Sequence, residues 1–204
     1  MSSGLWALLE GYAVGLSLVV LIGPVLFVLM NATLAHGRAS GLAVAFGIFL
    51  SDVLIVSLCY SGSAGVSLSP ALTWWLSALG ALLLALMGLR YLSAPPMTVT
   101  SATPPALSLF KCFSQGVAVN LINPFVFLVW FGIIGLARQR YPEAQAQVIY
   151  LSAVTFGILT LDVSKALLAH TLAPLLTPKG LKRLQRASGV ALLMFSVRVL
   201  WGAL

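Results

Sequence analysis

Six apolar stretches account for most of this chain. They run over roughly 5–34, 40–62, 71–93, 109–137, 144–172 and 182–203. A helix needs about 20 apolar residues to cross a hydrocarbon core ~30 Å thick, and each stretch is long enough. Inside that core every backbone amide must be paired within the protein, so only helices and closed barrels can span it. A barrel would show strands of ~10 residues with alternating polarity. These stretches are apolar all round. The chain therefore reads as an all-α integral membrane protein with six transmembrane helices. Of its 204 residues, 60% are hydrophobic and only 7% charged. A water-soluble domain carries about 25% charged residues.

The stretches are internally related. Phe46-Gly47-Ile48 followed by Asp52 recurs as Phe156-Gly157-Ile158 followed by Asp162, each residue 110 positions on. Gly23-Pro24-x-x-Phe27 recurs as Asn123-Pro124-x-x-Phe127, 100 positions on, and Arg38 and Arg138 share that spacing. A weaker match sets Gly80-Ala81-Leu82-Leu83 against Gly189-Val190-Ala191-Leu192. Two Pro-Pro pairs, Pro95-Pro96 and Pro104-Pro105, mark a loop between the halves. The expected division is a first three-helix repeat over 1–96, a Pro/Ser/Thr linker over 97–108 and a second three-helix repeat over 109–204, all within one membrane domain. Three is odd, so the second repeat enters the bilayer from the opposite face. Two inverted repeats of this kind are a transporter architecture.

The net charge of +7 does not point to nucleic acid, because the basic residues are spread over the ends of apolar stretches. They point to orientation. One side of a six-span chain holds Arg38, Arg90, Lys111, Lys179, Lys182, Arg183 and Arg186. The other holds Arg138, Arg140 and Arg198, with Lys165 inside a helix. The positive-inside bias places the first group in the cytoplasm and both termini outside. Arg138 and Arg140 run against that bias. Cys59 and Cys112 fall at opposite faces and read as packing residues, since a disulfide needs Cα atoms within about 7 Å.

Chemistry concentrates at two kinds of position. The first is the pair of breaks, with Gly23 and Pro24 in one half and Asn120, Asn123 and Pro124 in the other. A proline inside a helix frees backbone groups, and broken helices at the midplane hold zwitterions between a half-helix N-terminus and exposed carbonyls. These five residues are the candidate substrate site, and a packing kink is the plainer reading. The second is the buried carboxylates Asp52 and Asp162. An ionisable group near the bilayer centre costs at least ~2.5–3.5 kcal/mol on insertion scales, so it normally serves a site or a partner. Lys165 follows Asp162 by one helical turn, which makes an internal ion pair an equal reading there. Asp52, Asp162 and Lys165 are candidates for proton coupling or for holding a substrate amine. His36 and His170 fall near span ends, Gly11-x-x-x-Gly15 offers a close-packing face, and Trp130 lies deeper than the interfacial tryptophans.

Several of these residues resemble a known family. Ile22-Gly23-Pro24-Val25, the loop His36-Gly37-Arg38-x-x-Gly41 and Gly47 before Asp52 resemble the lysine exporter (LysE) family of amino-acid exporters. Asn120-Leu121-Ile122-Asn123-Pro124 resembles the Asn-Pro motif of that family's second half. The resemblance implies a six-helix inverted-repeat exporter of the bacterial inner membrane, driven by the proton-motive force and moving small amino acids or their relatives outward. Two departures bear on the substrate. Ile22 stands where many members have proline, and Phe125 where many have lysine after Asn-Pro.

The expected partners are an amino acid, protons and the lipid bilayer, with no nucleic acid and no cofactor. A homo-oligomer is compatible with the chain. Two other readings share the architecture. A metal-ion exporter needs clusters of His, Cys or carboxylates. A membrane thiol–disulfide carrier is an enzyme and needs a reactive cysteine beside each proline; Val25 and Phe125 stand there instead. No enzymatic activity is expected.

Overall fold

The computed structural model describes residues 3–18, 24–62, 70–93, 108–172 and 177–201. Gly23 and most of the 97–108 linker lie outside the described residues. The described residues form α1 (Ser3–Ser17), α2 (Pro24–His36), α3 (Arg38–Gly62), α4 (Pro70–Ser93), α5 (Leu109–Leu121), α6 (Pro124–Arg140), α7 (Ala144–Leu167), α8 (Ala169–Leu172) and α9 (Pro178–Trp201). The all-helical expectation holds for them. Among the described residues two helices, α3 and α7, are each long and apolar enough to cross a membrane, and a third span results if the bent pair α5–α6 is counted as one. Six spans were expected. The stretch 5–34 appears as two shorter helices, and α9 opens on Lys179, Lys182, Arg183 and Arg186, which lower its apolar character.

Local chemistry sets the helix ends. Gly37 adopts φ +88°, a conformation that favours glycine, and its N–H closes on Thr33 O at 2.9 Å. The chain reverses there, so Gly41 of α3 lies against Thr33 of α2. The second break is built differently from a kinked helix. Pro124 opens α6 at its first turn, where a missing N–H costs nothing. Asn123 caps that turn, its side-chain oxygen accepting from Phe125 N at 3.2 Å. The axes of Leu109–Leu121 and Phe125–Arg140 differ by 68°. In the first half, Pro24 likewise opens α2.

The chain forms two compact units. One comprises Met1–Ser61 and Val99–Leu175, the other Gly62–Thr98 and Leu176–Leu204. Each draws helices from both halves of the sequence.

In the larger unit, glycines let backbones touch. A Cβ at Gly15 would overlap Val154 O, and one at Gly157 would overlap Tyr12 O, so α1 lies directly on α7. A Cβ at Gly116 would overlap Val44 O, and one at Gly47 would overlap Phe113 O, so α5 lies directly on α3. The second pair of contacts repeats the first, with α1 residues advanced by 101 and α7 residues set back by 110. Gly11, on the same face as Gly15, meets Tyr150 O, so the Gly11-x-x-x-Gly15 face is used for close packing as expected. Helices α3 and α7 run antiparallel. Tyr60 Oη donates to Gln147 Oε1 at 3.0 Å, the rings of Phe49 and Phe156 stand 5.5 Å apart, and Gly41 lies against Ala166.

In the smaller unit α4 and α9 cross antiparallel. Gly88 and Gly189 face each other's carbonyls, Gln185 Nε2 donates to Tyr91 O at 3.1 Å and Ser196 Oγ to Ala81 O at 2.8 Å. The crossing sets Gly189 against Gly88.

The outer faces are those of a membrane protein. Phe46, Leu50, Leu54 and Leu58 form one exposed stripe along α3, with Leu58 69% exposed. Such a continuous apolar surface is rare on a soluble monomer and suits contact with lipid.

Candidate functional site

Asp52 is the centre of a buried polar cluster. It lies in the middle of α3, 3% exposed. Its Oδ1 accepts from Asn120 Nδ2 at 2.8 Å and from Trp130 Nε1 at 3.0 Å. Asn120 Nδ2 also donates to Ser51 Oγ at 2.8 Å, and Ser51 Oγ donates to Ile48 O at 2.7 Å. Asn120, Trp130 and Ser51 are all buried. Asn120 stands at the end of α5 and Trp130 two turns into α6. One carboxylate oxygen therefore ties together the two helices that meet at the Asn-Pro break. Leaving a buried donor unsatisfied costs about 1–3 kcal/mol, so Asn120 and Trp130 both depend on this oxygen.

Of the candidates from sequence, Asp52 and Asn120 come together directly. Pro124 begins the helix that carries Trp130, and Asn123 caps that helix, its side-chain oxygen committed to Phe125 N. Asp162 is in a different setting. It is 5% exposed, and Lys165 Nζ lies 3.0 Å from its Oδ1. The internal pair read from the spacing is present. Two members of the cluster were missed in the sequence, Trp130 and Ser51. Trp130 did carry a signal, because a buried indole N–H needs an acceptor. Ser51 adjoins Asp52 and carried none, since a membrane-helix serine usually bonds its own backbone.

A second polar group closes the far end of the larger unit. Glu10 of α1 forms an ion pair with Arg140 and accepts from Tyr141 Oη at 2.6 Å. Gln147 Nε2 donates to Tyr141 O at 2.7 Å. Arg138 donates to Tyr60 O at 3.2 Å, with its guanidinium 5.5 Å from the centre of the Tyr60 ring. Both arginines that run against the charge bias are thus engaged by partners from other helices. Cys59 and Cys112 are buried and carry no disulfide.

Comparison with known proteins gives the family. The LysE type translocator family matches residues 16–202. The chain belongs to the LysE family. Among its relatives is the Putative amino acid efflux protein YcgF of Bacillus subtilis, 31% identical over 89% of this chain and 88% of the relative. The Leucine efflux protein of Salmonella typhimurium is 32% identical over 58% of each chain. The Arginine exporter protein ArgO of Pectobacterium atrosepticum is 28% identical over 97% of this chain and 95% of the relative. No solved structure matches. The LysE resemblance read from the proline and loop motifs is therefore shown, and with it a membrane transporter.

Proposed function

We propose that this LysE-family chain exports an amino acid across the bacterial cytoplasmic membrane, coupled to proton entry, with Asp52 at the working centre. The observation that carries the reading is the grip of Asn120 and Trp130 on Asp52 Oδ1. It places a buried carboxylate where the two half-helices of a break meet, the position at which inverted-repeat transporters hold substrate and coupling ion. A proton or a substrate ammonium arriving at Asp52 competes for the charge that now holds two helices. Gly23, Pro24, Asn123 and Pro124 complete the substrate region in this reading through the backbone groups at the two breaks. Asp162 and Lys165 form a second, self-neutralised station.

The relatives' names support an amino acid as cargo: two name leucine and arginine, and the third amino acids in general. An inverted six-span fold is supported by the antiparallel run of α3 and α7, the helices related by the 110-residue spacing. Equivalent elements that run oppositely are what inversion requires. The charge bias then sets both termini outside. A metal cargo has less support, because among the described residues no three His, Cys, Asp or Glu side chains come together.

Everted vesicles with an acidic lumen test the function. An amino acid from a panel of basic, neutral and sulfur-containing members should accumulate in the lumen, and a protonophore should abolish it. If none accumulates above vesicles lacking the protein, the reading fails. Orientation has its own test in cells, in a background lacking Cys59 and Cys112. A membrane-impermeant thiol reagent should label Gln145→Cys and spare Gly180→Cys. The reverse pattern would turn the protein over.

A further inference from the structure

We propose that the polar ring of Glu10, Tyr60, Arg138, Arg140, Tyr141 and Gln147 is the exit gate of the transport path, latched in this structure and connected to Asp52 through α6. The proposal rests on the export reading above.

The bonds close a circuit through α6, α7 and α3, and Glu10 fastens α1 to it at the end of α6. Glu10 of α1 holds Arg140 and Tyr141 at the end of α6. Tyr141 O accepts from Gln147 of α7, Gln147 accepts from Tyr60 of α3, and Tyr60 O accepts from Arg138 of α6. Burial, with a further contribution from Glu10, pushes the Tyr141 hydroxyl up to about 12, so it remains a donor. Between this ring and Asp52 lies a core cluster that includes Ile55, Trp130, Ile134, Ala137 and Val154. In this proposal that cluster is the plug of the path while the ring is shut.

Three further observations mark the ring as a device and not general surface chemistry. First, it is built at one end only. The positions that correspond to Glu10, Arg138, Arg140, Tyr141, Gln147 and Tyr60 under the repeat spacings are Lys111, Arg38, Ser40, Gly41, Gly37 and His170. None is acidic, so the opposite end cannot form the same latch. Second, the Tyr150 hydroxyl is fully buried in the plug and has no hydrogen-bond partner among the described residues. A shut gate leaves that group unsatisfied, and water entering an open one would satisfy it. Third, α6 carries both Trp130 and Arg140, about 15 Å apart along one helix. A change in the grip on Asp52 therefore moves the latch residues as part of the same rigid element.

Two measurements test the gate, and one does not require transport. In the background Cys59→Ser and Cys112→Ser, Ile55→Cys reports access to the plug. A membrane-impermeant thiol reagent should label it at least tenfold faster when Glu10→Gln is added. Exchanging the charges, Glu10→Arg with Arg140→Glu, should restore slow labelling. Equal labelling in all three proteins overturns the gate. In the second measurement Glu10→Cys and Arg140→Cys are joined by a short, cleavable thiol cross-linker. Export should fall at least tenfold on joining and return on cleavage; unchanged export overturns the gate. A wild-type protein that moves no amino acid while its labelling still follows the latch would refute the export reading and support the gate.

Discussion

Asp52 and Asp162 occupy equivalent places in two related helices, yet the structure treats them differently. Asp162 is neutralised from its own helix, by a lysine one turn away. Asp52 is held by neutral donors from α5 and α6. A local ion pair satisfies a buried charge without constraining any other helix. A carboxylate gripped from two other helices makes their positions depend on its charge. The same residue type is thus part of a self-contained ion pair in one half and a joint between halves in the other.

The largest effect expected of this difference is at Asp52. Asp52→Asn keeps the shape and removes the charge, and export should fall by about 100-fold or more, a barrier rise of ~3 kcal/mol. Membrane insertion and expression should be unchanged. Export at the wild-type rate by the correctly inserted variant would remove the contrast altogether.

At the other carboxylate the pair should matter more than its members. Asp162→Asn leaves the half-buried Lys165 without its partner, and breaking a fully buried pair costs about 3–5 kcal/mol of stability, an upper bound here. Expression should drop sharply. Adding Lys165→Met should recover most of it, and export by the double variant should stay within about tenfold of wild type, a barrier change of ~1.4 kcal/mol or less. A double variant as inactive as Asp52→Asn would mean that the two stations are equivalent after all.

At Trp130 the expected change is smaller than at Asp52. Trp130→Phe keeps an aromatic ring in the core and deletes one of two donors to Asp52. One charge-assisted hydrogen bond supports a loss of roughly tenfold to 100-fold in rate. Asn120→Asp, which sets a second carboxylate against the first, should be worse. If Trp130→Phe exports normally, α6 is not tied to the working centre, and the link between centre and gate is lost with it.

Much of this was legible in the sequence. The helical class followed from apolar length. Asp52 and Asn120 stood out because polar groups are expensive in apolar stretches, and the Asp162–Lys165 pair followed from helical spacing alone. What could not be read were contacts that depend on which helices become neighbours. Trp130 looked like any buried aromatic until α6 was set beside α3. Glu10 and Arg140, 130 residues apart, seemed unrelated, and Arg140 seemed only to break the charge bias. Pro124 read as a kink inside a helix, because the sequence does not tell a proline that interrupts a helix from one that begins the next.

The glycine contacts have a consequence for how the protein is made. Helix α1 leaves the ribosome first, but the surface that fits Gly11 and Gly15 is on α7, more than 130 residues later. Helix α3 likewise waits for Gly116 of α5. The amino-terminal half must therefore sit in the bilayer with its most adhesive faces uncovered until the carboxy-terminal half arrives. Neither half finishes its packing alone, and a chain cut in the 97–108 linker should mature only when both pieces are synthesised in the same membrane.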